Sequence, residues 1–249
     1  MNDSKPTTTP LVLGIKLSIN SVNDKEGKSA FPFRELIGAL MYIAIGTRPD
    51  IAHSVNMLSQ YNNSYERIHW VAAKRVLRYL KGTMDLKLIY KKDDSHLKGY
   101  VDSDWGNCTI DRKSFTGSVF IMGGAAISWE SKKQRTVALS STEAEYMALT
   151  HASKEAIHLI AFLNQLRLPK FASVELFNDN QSAGKLAVNP VFHSRSKHID
   201  IKHHFIRETL NNHPIKLVYL STDLMIADVL TKPLPGPKHY FCVKGLGLM

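Results

Sequence analysis

Cysteine is nearly missing from this chain of 249 residues. The two present, Cys108 and Cys242, fit neither a disulfide framework nor the paired spacing of a zinc site, so a reducing compartment is expected. No apolar run approaches the length of a membrane span, and no membrane partner is expected. The opening residues, Met1-Asn2-Asp3-Ser4-Lys5-Pro6, lack the positive segment and apolar stretch of a secretory signal. The expectation is an intracellular protein. Acids are also scarce: 22 Asp and Glu stand against 32 Lys and Arg, for a formal net charge of +10. Such an excess points to a polyanionic partner, although a basic protein without one reads the same on charge alone. What is plentiful is ordinary. With 44% hydrophobic and 22% charged residues the chain can build a packed core.

Residues 1–30 are polar apart from Leu11-Val12-Leu13 and read as a leader or linker. A helical period follows. Leu36, Leu40, Ile43 and Ala44 share one face of a first helix ended by Gly46, and a second opens at Pro49 with Ile51, Val55, Leu58 and Ser59 in period. A third runs from Tyr65 to Lys81. Its Ile68, Val71, Ala72, Val76 and Tyr79 are expected inside, while Lys74, Arg75, Arg78 and Lys81 form a basic face that is either solvated or anion-binding. Leu86–Tyr90 reads as a strand. The polar turn Lys91–His96 marks a boundary, giving a small helical subdomain over 31–92 and a second unit over 93–249.

In that unit, strands are expected over 97–105, 116–123 and 125–131, the last two joined through Gly123-Gly124. A long helix spans Thr142–Leu166, and a strand covers Val174–Asn178. Helices follow over 180–187 and 199–211, then a strand over 215–220 and a last helix near Met225. Three antiparallel strands and two more alternating with helices describe an α/β fold with a mixed five-stranded sheet.

Four acids in different local contexts carry the chemistry. Strand alternation sets Tyr100, Asp102 and Asp104 on one face and Val101 and Ser103 on the other. A lone buried charge is costly, so Asp102 is either a metal ligand or a solvated acid on an edge strand. In Ser140-Ser141-Thr142-Glu143 a capping box is expected, with Ser140 as cap and Glu143 reaching back to its amide. Residues two apart on a helix point about 200° apart, so Glu143 and Glu145 cannot serve one site, and Glu145 is the functional candidate. Asp179 lies beyond a strand's carboxyl end, where ligands gather, and equally where a helix cap would sit. Asp228 suits a helix start on dipole grounds alone, and Asp223 competes with it on spacing.

Several segments together resemble the C-terminal ribonuclease H region of copia-type retrotransposon polyproteins. They are Tyr100-Val101-Asp102-Ser103-Asp104-Trp105, Arg112-Lys113-Ser114-Phe115-Thr116-Gly117, Leu139-Ser140-Ser141-Thr142-Glu143-Ala144-Glu145-Tyr146, Asp179-Asn180-Gln181-Ser182-Ala183 and Ala227-Asp228-Val229-Leu230-Thr231-Lys232-Pro233-Leu234. In the helical part, Thr47-Arg48-Pro49-Asp50-Ile51 and Lys74-Arg75-Val76-Leu77-Arg78-Tyr79-Leu80-Lys81-Gly82 resemble that element's reverse-transcriptase thumb or connection segment.

The resemblance implies a ribonuclease H-like sheet in which Asp102, Glu145, Asp179 and Asp228 are the catalytic, metal-binding acids. It implies two Mg²⁺ ions, with Mn²⁺ as a substitute, about 3.5–4 Å apart, hydrolysing the RNA strand of an RNA–DNA hybrid. Asp104 is then an occasional ligand or outer partner of the ions, and Asn180 and Gln181 reach the hybrid's minor groove. Lys132, Lys133, Arg135, Arg195, Lys197 and Lys202 neutralise backbone phosphates. The setting implied is the cytoplasm, a virus-like particle or the nucleus.

The pattern also departs from the family. Cellular ribonucleases H carry a His before the last acid, and Leu220-Ser221-Thr222-Asp223-Leu224-Met225 offers none. His193, His198, His203 and His204 lie elsewhere and read as surface or polyanion contacts. Polymerase fingers, palm and acids have no counterpart, so no DNA synthesis is expected unless those parts act in trans. The chain is expected to be a processed piece of the polyprotein or a relic fragment. The rival reading is a repurposed or binding-only module. Arg75-Val76-Leu77-Arg78 even spells the Arg-x-Leu-Arg string of secreted oomycete effectors, here within an amphipathic helix.

Overall fold

The computed structural model describes residues 3–17, 31–108, 110–188 and 197–249. Three helices come first: α1 (Phe33–Gly46), α2 (Ala52–Ser59) and α3 (Arg67–Gly82). Pro49 opens a short 3₁₀ turn, Pro49–Ile51, that feeds α2, because its fixed φ suits a first turn and its missing N–H is not needed there. Phe33, Ile37, Leu40 and Ala44 recur on one face of α1 and meet Val55, Leu58, Ala72, Val76 and Tyr79 in a common core.

Two residues of α3 do not follow the expected face. Ile68 and Val71 are 43% and 53% exposed, while His69 is buried. His69 Nδ1 accepts the Glu66 N–H at 2.8 Å and its Nε2 lies 3.3 Å from the Leu17 carbonyl. Anchoring that ring turns the helix so that its neighbours face out. The basic face of α3 is mostly engaged. Arg75 donates to Thr9 Oγ1 (3.0 Å), Arg78 to the Lys5 carbonyl (2.6 Å) and Lys81 to the Ser4 carbonyl (2.9 Å). Residues 4–9 thus lie along α3, and Leu11 and Leu17 are buried in the helical core.

The sheet contains β1 (Leu97–Asp104), β2 (Phe115–Met122), β3 (Ala125–Lys133), β4 (Val174–Asn178) and β5 (Ile215–Tyr219) in the order β3-β2-β1-β4-β5. The β1–β2 and β2–β3 pairs are antiparallel, and β1–β4 and β4–β5 are parallel. This is the mixed five-stranded sheet that the strand reading anticipates. Gly123 and Gly124, both with positive φ (63° and 79°), make the tight β2–β3 turn.

The two faces of the sheet have separate cores. Helices α4 (Ser141–Gln165) and α6 (Lys197–Asn212) pack together, with Val101, Phe120, Leu149, Ala152, Leu176 and Ile206 between helices and sheet. The 3₁₀ turn Ile226–Leu230 and helix α7 (Gly236–Gly245) cover the other face over Val119, Ala126, Leu230, Val243 and Leu248. A shorter helix, α5 (Gln181–Val188), follows β4 and lies against α4.

Two expected elements differ. Leu86–Tyr90 is not a sheet strand. It pairs with the C-terminal tail through one bridge, Leu88 to Leu248, with the Lys87 and Met249 amides and carbonyls exchanging hydrogen bonds at 2.9 and 3.0 Å. The helix expected near Met225 is a 3₁₀ turn, and the next helix waits until Gly236 because Pro233 and Pro235 cannot continue one. The helical part touches the sheet directly. Trp129 Nε1 donates to the Ala44 carbonyl at 2.9 Å, and the His53 ring meets Phe115 edge-on at 4.9 Å.

Candidate metal centre

Three elements bring acids to one place. Asp102 is on β1, Glu145 is on the first turns of α4, and Asp179 is the residue just past β4. One oxygen of each lies within 4.8 Å of the others. Asp102 and Glu145 are 2% and 5% exposed and Asp179 is half-buried, so the group opens toward solvent at Asp179.

Each carboxylate is held. Glu145 Oε1 accepts the N–H and hydroxyl of Ser103 (3.1 and 3.0 Å), and Oε2 accepts Asn178 Nδ2 at 3.0 Å. The hydroxyl of Thr231 donates to Asp102 Oδ2, and that of Thr222 to Asp179 Oδ2 at 2.7 Å. Asn180, not Asp179, caps α5: its Oδ1 accepts the Ala183 N–H at 2.9 Å. That leaves Asp179 free of capping duty. On α4, Ser140 Oγ accepts the Glu143 N–H at 3.1 Å, while Glu143 Oε2 accepts from Leu139 at 2.7 Å, one residue before the amide expected. Glu143 therefore serves the helix end, and Glu145 faces the group.

Asp228 stands differently. It is buried in the 3₁₀ turn, with Oδ1 2.7 Å from Lys232 Nζ and Oδ2 3.1 Å from Lys238 Nζ. Lys232 Nζ is also 3.4 Å from Asp102 Oδ2. The turn can approach β2 because Gly117, opposite Asp102 in the sheet, has no side chain. A Cβ there would meet Leu230 Cβ at 2.7 Å and Thr231 Cγ2 at 2.8 Å.

Burial pushes the Asp102 carboxyl up to about 7; Lys232 and Thr231 oppose this, while Asp228 and Asp179 reinforce it. Burial, with the neighbouring charges of Asp102 and Asp179, holds Glu145 well above the usual carboxylate range despite the hydrogen bonds from Ser103. Acids so strained by one another are short of positive charge. Three converging carboxylate oxygens with an opening to solvent fit a hard, oxygen-preferring divalent cation.

The remaining candidates are placed as follows. Asp104 lies on the Asp102 face but is turned to the Phe115 amide, which donates to Oδ1 at 2.5 Å; burial lifts its carboxyl to about 6. Asp223 is exposed. Lys132, Lys133 and Arg135 line a groove of about 480 Å³ together with Thr116, Gln134 and Lys154. Lys133 Nζ is already 2.9 Å from Asp111, and Lys132 Nζ is 3.0 Å from Glu130. Gln181 is exposed beside the group. Arg195 and His193 lie outside the described residues, as do the side chains of Lys197, Lys202, His198 and His203; His204 is exposed on α6. Both cysteines are free and buried.

Sequence reasoning missed Ser103, Asn178, Thr222, Thr231, Lys232 and Lys238. Only Lys232 left a signal, because it stands four positions after Asp228, an ion-pair spacing. Lys238 reaches Asp228 from ten positions on, off any helical spacing, and the others act across long sequence separations that no local pattern reveals. Among the described residues no helix is long and apolar enough to cross a membrane.

No family model matches the chain. It is 42% identical over 252 residues to the retrovirus-related Pol polyprotein from transposon TNT 1-94 of Nicotiana tabacum, covering 100% of this chain and 19% of that one. It is 40% identical over 235 residues to the corresponding polyprotein from transposon RE2 of Arabidopsis thaliana, covering 94% and 16%. The secreted RxLR effector protein 161 of Plasmopara viticola is 47% identical over 129 residues, covering 51% of this chain and 91% of that one. Among solved structures, RNase H1 from Halobacterium salinarum is similar at 18% identity and a TM-score of 0.42, over 55% of this chain and 95% of that one. A foamy viral protease-reverse transcriptase in complex with RNA/DNA hybrid is similar at 15% and 0.43, over 76% and 25%. The chain spans about a fifth or less of the length of the two polyproteins (19% and 16%).

Proposed function

The chain belongs to the copia-type Pol polyproteins of retrotransposons, and we propose that it is their ribonuclease H, hydrolysing the RNA strand of RNA–DNA hybrids. One observation carries this reading: Asp102, Glu145 and Asp179 converge from three elements of a ribonuclease H-like sheet. In this reading the helical part over 31–92 is the thumb or connection segment and 93–249 the nuclease, with residues 1–30 as leader.

Asp102, Glu145, Asp179 and Asp228 would hold the metal. Held there as two ions, Mg²⁺, or Mn²⁺ in its place, would supply the Lewis acidity to activate a water and to stabilise a leaving 3′ oxygen. The chain's own residues prepare for that. Ser103 and Asn178 fix both oxygens of Glu145, so its position need not be found anew when a hybrid arrives. Thr231 holds Asp102, and half-buried Asp179 faces the side from which substrate comes. Lys132, Lys133 and Arg135 offer phosphate contacts from the nearby groove, joined in this proposal by Arg195, Lys197 and Lys202. Asn180 has its oxygen committed to the α5 cap, which leaves its amide and Gln181 for 2′-hydroxyls. Asp104 steadies the site from β1 through Phe115. A hybrid formed inside the cell, in cytoplasm, particle or nucleus, is the substrate, and polymerase parts supplied in trans would be the partner.

The similarity to an effector-named protein favours a second reading, a binding module with unused acids. Against an effector role for the Arg75-Val76-Leu77-Arg78 string, both arginines here are tied to residues 5–9. One experiment separates the readings. Purified wild type and Asp102→Asn are compared for Mg²⁺-dependent cleavage of a labelled hybrid and for hybrid affinity. The nuclease reading expects cleavage by wild type alone, with affinity kept in both. Binding without cleavage by wild type would establish the module instead.

A further inference from the structure

Lys232 sits where a cation between Asp102 and Asp228 would sit. Its Nζ is 2.7 Å from Asp228 Oδ1 and 3.4 Å from Asp102 Oδ2, and it comes from the same 3₁₀ turn region that supplies Asp228. The four acids are therefore not equivalent. Three of them share a group open to solvent, whereas the fourth is already neutralised by two lysines, Lys232 and Lys238.

We propose that Lys232 is an internal, exchangeable counter-cation: the centre takes one divalent ion at Asp102, Glu145 and Asp179, and a second at Asp102 and Asp228 only by displacing the ammonium. The inference rests on the metal reading of the site given above. A hard divalent ion and an ammonium compete for the same carboxylate lone pairs, so occupation by one excludes the other.

The surroundings allow the exchange. The Lys232 side chain is 31% exposed, whereas those of Asp102 and Asp228 are 3% and 2%, so the lysine is the member free to move. It borders a cavity of about 380 Å³ that Asp104, Asn107, His53 and Cys108 also line. Asp104 there offers a carboxylate to a displaced ammonium. Lys238 stays behind on Asp228, held as well by the Thr222 and Asp223 carbonyls at 2.7 and 2.8 Å. The arrangement keeps a buried acid pair neutral while metal is scarce and makes the second ion the weaker one.

The test is Mn²⁺ titration of the full chain by calorimetry and by electron paramagnetic resonance of the free ion, with wild type, Lys232→Met, Lys232→Gln and Lys232→Arg. The wild type is expected to bind one ion well and a second at least about tenfold more weakly, a gap of roughly 1.4 kcal/mol. In the Met and Gln variants the second site should tighten about tenfold with the first unchanged, while Arg, which keeps the charge, should behave as wild type. Gln retains a polar head and stands in for Met should Met fail to fold. An unchanged or weaker second site in both neutral variants overturns the inference but leaves the first-ion site standing. No Mn²⁺ bound by any of the proteins overturns the metal reading and this inference with it.

Discussion

A single carboxylate shows what gathering acids in one place costs the fold. Asp102 faces Asp228, Asp179, Glu145 and Lys232, and its carboxyl is raised from its ordinary value near 4 to about 7, first by burial. A group whose folded value is raised binds its proton more tightly in the folded state. Its contribution is therefore favourable at low pH and is lost as pH climbs from about 4 to 7. Metal-free wild type should lose stability over that window. Asp102→Asn, which cannot ionise, should be more stable than wild type by roughly 1–3 kcal/mol at pH 8, with the gain vanishing below about pH 4. Urea denaturation at both pH values with chelator present checks this, and a destabilised Asn variant at pH 8 would contradict it. Other residues differ in how far the sequence announces them. Glu145 could be separated from Glu143 by helix geometry before any fold was known, since only one of them fits the cap. Asp179 could not be separated from a cap, because the residue that takes the duty, Asn180, stands beside it. Ser103 and Asn178 were invisible as supports of Glu145, because their value appears only when β1, β4 and α4 meet.

Elements were more legible where one period dominates. The strands β1 and β2, the Gly123-Gly124 turn and the long α4 each read correctly because a local pattern and the final packing agree. Leu86–Tyr90 has the pattern of a strand but pairs only with the C-terminal tail, a partner far away in sequence. The turn carrying Asp228 was read as a helix because acids and apolar residues there mimic a helix start, yet Pro233 and Pro235 forbid continuation. The position of that turn depends on Gly117. Gly117→Ala would force a Cβ to within 2.7 Å of Leu230. We expect it to cost about 1–3 kcal/mol and to weaken hybrid cleavage by more than its effect on folding, because Asp228, Thr231 and Lys232 shift together. Comparing cleavage at a temperature where the variant is fully folded separates the two effects. At the other end of the site, Ser140→Ala removes the cap of α4 and should cost about 1 kcal/mol with the acids left in place. Thermal melts with and without Mg²⁺ measure it.

At the scale of the whole molecule the helical part and the sheet share buried surface. Leu86, Leu88 and Ala52 pack against the core formed by Val119, Leu230, Val243 and Leu248. Leu248→Ala should therefore cost about 2–5 kcal/mol and speed amide exchange at Lys87 and Ile89, whose N–H groups bond the tail. Hydrogen exchange would show the effect confined to the tail if the two parts were energetically separate. On the proposed reading, hybrid binding should weaken steeply with salt, as expected for a chain of net charge +10, and Arg135→Ala should lower the slope of log affinity against log salt by about one phosphate contact. Charge alone points toward a polyanion without establishing one, and local pattern left the acids in separate elements, so only the resemblance of the motifs named them together. Their meeting is the central claim, and Mn²⁺ diffused into crystals of the chain tests it most directly. The account predicts an anomalous peak bounded by Asp102, Glu145 and Asp179 that is absent from Asp102→Asn crystals. A wild-type crystal with no peak there, or a peak that survives Asp102→Asn unchanged, would contradict it.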